Sequence, residues 1–185
     1  KLAKHFTEGQ VAQYPVTFLE GWSFSQVQAA IQKAPKITIT LTDEQAVREA
    51  LGVSEARMEG WLFPETYYYT KGTTDLALYQ RAHHRMKNTL QEVWSARATT
   101  HTPYELLTLA SIIEKETALP EEMDRIAGVF YRRLTQRMRL QADPTVIFGL
   151  TRPFDGTLYK EDLIRDTPYN TYTRHGLPPT PIALP

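Results

Sequence analysis

The chain has 185 residues, 42% of them hydrophobic, with 21 Lys and Arg balanced by 21 Asp and Glu. That length and apolar share can bury a real core, and the zero net charge leaves no global electrostatic footprint for nucleic acid or an anionic membrane. There is no cysteine, which excludes a disulfide framework, a thiolate metal site and a thiol nucleophile. No apolar run approaches the roughly 20 residues that span a bilayer, and no secretory leader pattern opens at Lys1. LAKHFTEG reads as the end of a helix and the chain stops in proline-rich sequence at Pro185, so a piece of a longer protein is expected.

In chain order, the alternating stretch from Val11 to Leu19 predicts a strand ending in a turn at Glu20-Gly21. Ser23 and Gln26 form a capping box for a short helix with Phe24, Val27, Ala30 and Ile31 on one side, ended by Pro35. Ile37 to Leu41 alternates isoleucine and threonine as a half-buried strand does, and Thr42 with Gln45 predicts a helix cap. That helix runs through Leu51 and closes at Gly52. The result is a β-α-β-α lobe in which Trp22 and Phe24 could stack on a sugar or simply fill a core.

EGWLFPETYYY, from Glu59 to Tyr69, sets two acids among aromatics around one proline. Aromatic faces beside carboxylates suit carbohydrate, and a hydrophobic linker strand between two lobes fits equally well. A long scaffold helix is predicted from Thr74 to about Ala98, with Tyr79, Ala82, Met86, Leu90 and Val93 recurring at three and four. His83 and His84 are adjacent and lack the spacing of a zinc pair.

The most informative stretch runs from Thr102 to Leu134. Thr102, Pro103 and Glu105 predict a capped helix start, and Leu106, Leu107, Leu109, Ala110, Ile112 and Ile113 cover well over half of the helix circumference. Glu114 and Glu116 interrupt that arc, about 200° apart, so they point to opposite flanks and cannot both touch one scissile bond. An apolar surround raises a Glu pKa toward the value a general acid needs. The rival is a structural ion pair with one of Arg125, Arg132, Arg133, Arg137 or Arg139. Periodicity does not choose between the two glutamates. A second helix starts at Pro120, with Met123, Ile126, Ala127, Phe130 and Leu134 as the stripe that packs back on the first.

In RMRLQADPTVIFGL, Asp143 either caps a helix opened by Pro144 or supplies a second active-site carboxylate. Asp155-Gly156 marks a turn and Leu158 to Ile164 a short helix. The tail TPYNTYTRHGLPPTPIALP predicts a defined irregular path, with Tyr169, Asn170, Thr171 and Tyr172 offering hydroxyls and an amide to a polyhydroxylated substrate.

Taken in order, LEGWSFSQV, EGWLFPETYYY, LASIIEKET, the RRL-x4-RLQADPTVIFGL segment and YNTYTRHGLPPTPI resemble the MltG (YceG-like) family of endolytic murein transglycosylases, over nearly the whole chain. The resemblance implies an α+β fold: a small, partial LysM-like lobe over residues 1–58, joined to a larger mixed α/β catalytic lobe over 59–185 built around the buried Glu-bearing helix. It implies cleavage of peptidoglycan within the glycan strand, between N-acetylmuramic acid and N-acetylglucosamine, leaving a 1,6-anhydro end. It carries the catalytic role to Glu114, leaves Glu116 a supporting role, and makes Asn170, Thr171, Tyr172, Asp143, Glu65 and Tyr67 the substrate-contacting candidates. No metal or cofactor is implied. The implied setting is the bacterial inner membrane, reached through a single anchor absent from this chain, with the catalytic part outside the cytoplasm and cell-wall synthases as partners. Leu19, Arg132 and Thr180 depart from the family's usual Pro, Asn and Gly. Two rivals stand beside this: a hydrolytic muramidase using Glu114 with Asp143, and a silent peptidoglycan-binding scaffold.

Overall fold

The computed structural model describes residues 12–96 and 99–185. Its elements are β1 (Gln13–Thr17), α1 (Phe24–Lys33), α2 (Glu44–Leu51), β2 (Thr66–Thr70), α3 (Asp75–Ser95), α4 (Pro103–Glu116), α5 (Pro120–Thr135), α6 (Asp143–Phe148) and α7 (Lys160–Ile164). Helices dominate, with one small sheet, an α+β architecture. Among the described residues no helix is long and apolar enough to cross a membrane. The expected helix end at LAKHFTEG, the first residue of the Val11–Leu19 strand and the Ala98 end of the long helix lie outside the described residues.

β1 pairs antiparallel with β2, Val16 opposite Tyr67. Alternation gives the reason: Val16, Tyr67 and Tyr69 turn inward while Tyr68 is 56% exposed. Thus the aromatic stretch supplies a strand, and it is the partner of β1. The expected strand at Ile37–Leu41 is corrected to a single parallel bridge between Thr38 and Thr74. The cause is Asp75, buried at the start of α3. Its carboxylate accepts from the amides of Thr40 and Leu41, each at 2.9 Å, and from the Thr40 hydroxyl. A side chain thereby satisfies donors that a neighbouring strand would otherwise have to meet.

α1 has the predicted Ser23–Gln26 capping box, with Phe24, Val27 and Ile31 buried. The cap of α2 is Asp43 rather than Thr42, its carboxylate accepting from Ala46 at 2.8 Å, and Gly52 closes the helix in the left-handed region. α3 starts where Thr74 caps it. These pieces enclose a first core that runs from Val16 through Tyr79 and Ala82 and takes in Leu184 from the far end of the chain. It therefore draws on residues on both sides of position 58.

α4 carries the predicted Thr102–Glu105 capping box with Pro103 in its first turn. α5 starts at Pro120 and packs back on α4, burying Phe130 beside Leu109 and Ile112. Leu140, Ala142 and Ile182 complete this second core. The irregular tail is stitched to both halves. Gly21 and Leu184 exchange bonds with the turn, Gly21 N donating to Leu184 O and Leu184 N to Trp22 O, each at 2.8 Å. Ile182 N donates to Ser111 on α4 at 3.0 Å.

Candidate active site

The C-terminal end of α4 holds Glu114 and Glu116 on opposite flanks, as helical spacing requires. Their surroundings differ. Glu114 faces the Glu20-Gly21 turn, its Oε1 lying 3.7 Å from where a side chain on Gly21 would begin, and Lys115 beside it donates to Gly21 O at 3.2 Å. Burial raises the Glu114 pKa, the Glu20 charge adds to the rise, and Lys115 opposes it. None of the arginines expected as ion-pair partners reaches either glutamate among the described residues.

Glu116 faces a cavity of about 360 Å³ whose wall includes Glu122, Arg125, Phe130, Arg133 and Gln141. Burial raises its pKa first, the nearby Asp143 charge raises it further, and Arg133 opposes. Asp143 is not a helix cap: Ala142 occupies the cap position of α6 without a side-chain bond. The Asp143 carboxylate instead accepts a short hydrogen bond from the Tyr172 hydroxyl. Burial, that hydrogen bond and the charges of Asp143 and Glu116 push the Tyr172 phenol up to about 12, so it stays protonated and donating near neutral pH. Asp143 and Tyr172 thus join Glu116, not Glu114.

Two loops hold this group. Asn170 is 1% exposed; its amide donates to the carbonyls of Asp162, Leu163 and Arg165, and its oxygen accepts from Tyr172 N at 2.8 Å. Thr171 is equally buried, its hydroxyl accepting from Ala142 N at 3.0 Å and bonding Thr145, its carbonyl accepting from Gln141 N. Both sit inside the loop and leave no face open to a ligand; they aim Tyr172 and Asp143. Arg133 donates to Leu140 O, and Gln141 has φ 53°, an uncommon value for a side-chain-bearing residue that marks a constrained position on the cavity wall.

Glu65 and Tyr67 lie elsewhere. Glu65 pairs with Arg85 at 2.6 Å, both half-exposed, a bridge worth at most about 1 kcal/mol. Tyr67 is 3% exposed in the first core and donates to Phe63 O. No hydrogen bond or salt bridge links either to the glutamates of α4 among the described residues. Phe24 is core as well, and Trp22 packs against it. His83 is buried against Trp61. Among the described residues no group of three or more His, Asp or Glu could hold a metal ion. The departures in sequence have places: Leu19 is half-exposed, while Thr180 is buried and bonds Tyr169 and the Pro181 carbonyl.

Sequence reasoning missed Gln141 and Glu122 on the cavity wall, and it marked Glu59 without foreseeing its burial. The last is buried, accepts from Phe24 N at 2.9 Å, and is raised to about 7, chiefly by burial. The signal available for Gln141 was its place beside Asp143; nothing local marked the αL backbone.

A capped helix thus carries a carboxylate to a mixed polar and apolar cavity, with a Tyr-Asp pair close to that carboxylate. The chain belongs to the YceG-like family, which it matches over residues 1–185. It is 33% identical to an endolytic murein transglycosylase of Bacillus subtilis over 92% of this chain and 52% of that protein. It is also 33% identical to one from Streptococcus pneumoniae, over 95% of this chain and 33% of that protein. The chain therefore spans about half and a third of these relatives. The crystal structure of a YceG-like protein from Listeria monocytogenes superposes with a TM-score of 0.73 at 31% identity, covering 99% of this chain and 67% of that one.

Proposed function

We propose that the chain is the glycan-cleaving part of an endolytic peptidoglycan transglycosylase, and that Glu116 rather than Glu114 is its general acid and base. The observation that carries this is the cavity: Glu116 opens into it beside Asp143 and Tyr172, while Glu114 is set against the Gly21 turn. Burial and the Asp143 charge keep Glu116 protonated at higher pH than an ordinary carboxyl.

In the first step Glu116 gives its proton to the glycosidic oxygen as the bond from the muramic acid anomeric carbon to that oxygen breaks. In the second, Glu116 takes the proton of the same sugar's C6 hydroxyl while that oxygen bonds the anomeric carbon. The nucleophile is intramolecular, so the step gains the advantage of proximity, no water is consumed, and one carboxylate suffices. The Tyr172 hydroxyl positions the Asp143 carboxylate by donating to it, and Asn170 and Thr171 fix both. Tyr67, in the first core, and Glu65, in its half-exposed bridge to Arg85, contribute through the fold rather than through substrate contact.

The first residues, to about 58, form a partial LysM-like lobe in role, although their core is shared with the rest. Membrane anchoring through a segment outside this chain, extracytoplasmic action and association with cell-wall synthases go with this reading. A hydrolytic alternative has one observation in its favour, the Asp143 charge beside Glu116, which would form a two-carboxylate pair.

Mass spectrometry of peptidoglycan digested with wild type, Glu116→Gln and Glu114→Gln tests both points. Wild type is expected to leave anhydro ends, one water lighter than reducing ends. Glu116→Gln should lose activity roughly 100- to 10,000-fold, the usual worth of general acid-base catalysis, and Glu114→Gln less than about tenfold. The reverse ranking returns the acid to Glu114; reducing ends select hydrolysis; intact glycan with folded wild type selects the binding scaffold.

A further inference from the structure

The wall of the Glu116 cavity that α5 supplies is more charged than a neutral sugar requires. Glu122, Arg125, Ile126, Val129 and Arg133 lie at helical spacing on one face, and the twelve residues from Glu122 to Arg133 span about 16 Å at the rise of an α-helix. Two guanidiniums and a carboxylate thus flank an apolar strip, and Val129 is 42% exposed within it.

The two arginines are not equivalent. Arg133 is committed to Leu140 O and acts on Glu116. The Arg125 side chain makes no salt bridge or hydrogen bond among the described residues and lies exposed on the cavity rim. Glu122 is held by Thr117, whose hydroxyl donates to it at 2.9 Å. An uncommitted guanidinium beside small apolar surface suits a carboxylate on a short aliphatic arm. Resting on the proposed reaction, the substrate has such an arm: the muramic acid lactyl group, which ends in a carboxylate or is extended by a peptide bearing carboxylates and methyl groups.

We infer that the α5 wall is a subsite for the acidic arm of the muramic acid residue next to the scissile bond, with Arg125 as its anion contact and Val129 packing against the arm. Hydroxyls of the sugar go to the Gln141 side of the cavity, and the charge of the arm goes to Arg125. The subsite sets which glycan is gripped, not how the bond is broken.

Calorimetric titration tests this with three probes: a GlcNAc–MurNAc peptide with free carboxylates, the same peptide as its carboxamides, and the peptide-free disaccharide with its lactyl carboxylate. Wild type is expected to bind the free peptide roughly tenfold more tightly than the carboxamide form. Arg125→Ala should reduce that ratio to about one, and Arg125→Lys should restore part of it. Equal preference for the peptide-free acid assigns the contact to the lactyl carboxylate, and its absence there assigns it to the peptide. A ratio near one in wild type, or one unchanged in Arg125→Ala, overturns the subsite. Glycan cleavage in the same preparations separates the two ideas. Cleavage without carboxylate preference sinks the subsite alone, and preference without cleavage keeps the subsite while sinking the transglycosylase reading.

Discussion

At the start of α1 a carboxyl is buried that no part of the proposed reaction uses. Glu59 accepts from Phe24 N, and the helix terminus favours its charge, yet burial outweighs both and lifts its pKa from 4.5 to about 7. A carboxyl raised in the folded state adds stability below its unfolded pKa, and that stability is lost as pH rises through about 7. We predict that wild type loses stability between about pH 4.5 and 7, and that Glu59→Gln, which keeps an acceptor for Phe24, removes this slope. At pH 8 the variant should be more stable by up to roughly 3 kcal/mol, at about 1.4 kcal/mol per pKa unit. Urea denaturation of both proteins at pH 5 and pH 8 measures it; parallel curves would refute the assignment. The sequence marked Glu59 and Glu65 alike, as acids among aromatics. Only the docking of α1 and the pairing of β2 with β1 bury one and leave the other in an exposed salt bridge. The same limit governed α4. Spacing told that Glu114 and Glu116 face opposite ways, but which flank meets a cavity depends on Arg133 and Gln141, which lie outside that helix.

Elements were legible wherever their ends are written locally. The Ser23–Gln26 and Thr102–Glu105 boxes, the Thr74 cap, Gly52 and Pro120 all stand at observed boundaries. The segment from Ile37 to Leu41 was not legible, because its alternation matches a strand while its amides are claimed by Asp75 from 34 or 35 residues away. That difference yields a prediction. Asp75→Ala leaves the Thr40 and Leu41 amides without their buried acceptor, and at about 1–3 kcal/mol per unsatisfied group, partly relieved by water, destabilisation of roughly 2–4 kcal/mol is expected. Hydrogen exchange should show Thr40 and Leu41 losing protection while the β1–β2 ladder keeps its own. Unchanged protection at those two amides would mean that the bridge at Thr38, not Asp75, holds the segment.

For the molecule as a whole, the tail decides how the two cores meet. Proline density foretold a fixed irregular path, but not that Ile182 would enter one core and Leu184 the other, since the bonds that dock the tail reach back 71 positions from Ile182 to Ser111 and 162 and 163 positions from Leu184 to Trp22 and Gly21. Gly60 packs directly against the tail at this junction. It has φ 79°, and a Cβ there would lie 2.6 Å from Pro181 Cβ and 2.8 Å from its Cγ. Gly60→Ala therefore adds both left-handed backbone strain and a clash with a rigid ring, for which we predict about 2–4 kcal/mol of destabilisation. The strain should not spread evenly. Pushing Pro181 away loosens Ile182 from Ser111 and Leu184 from the Gly21 turn, so the Glu114 flank of α4 moves while the Tyr172–Asp143 group, held by Asn170 and Thr171, stays put. If Glu116 is the acid, the folded variant at low temperature keeps most of its cleavage rate despite a lowered Tm; if Glu114 is the acid, rate falls together with tail docking. Cleavage rate against Tm for Gly60→Ala thus distinguishes the two glutamates without altering either carboxylate.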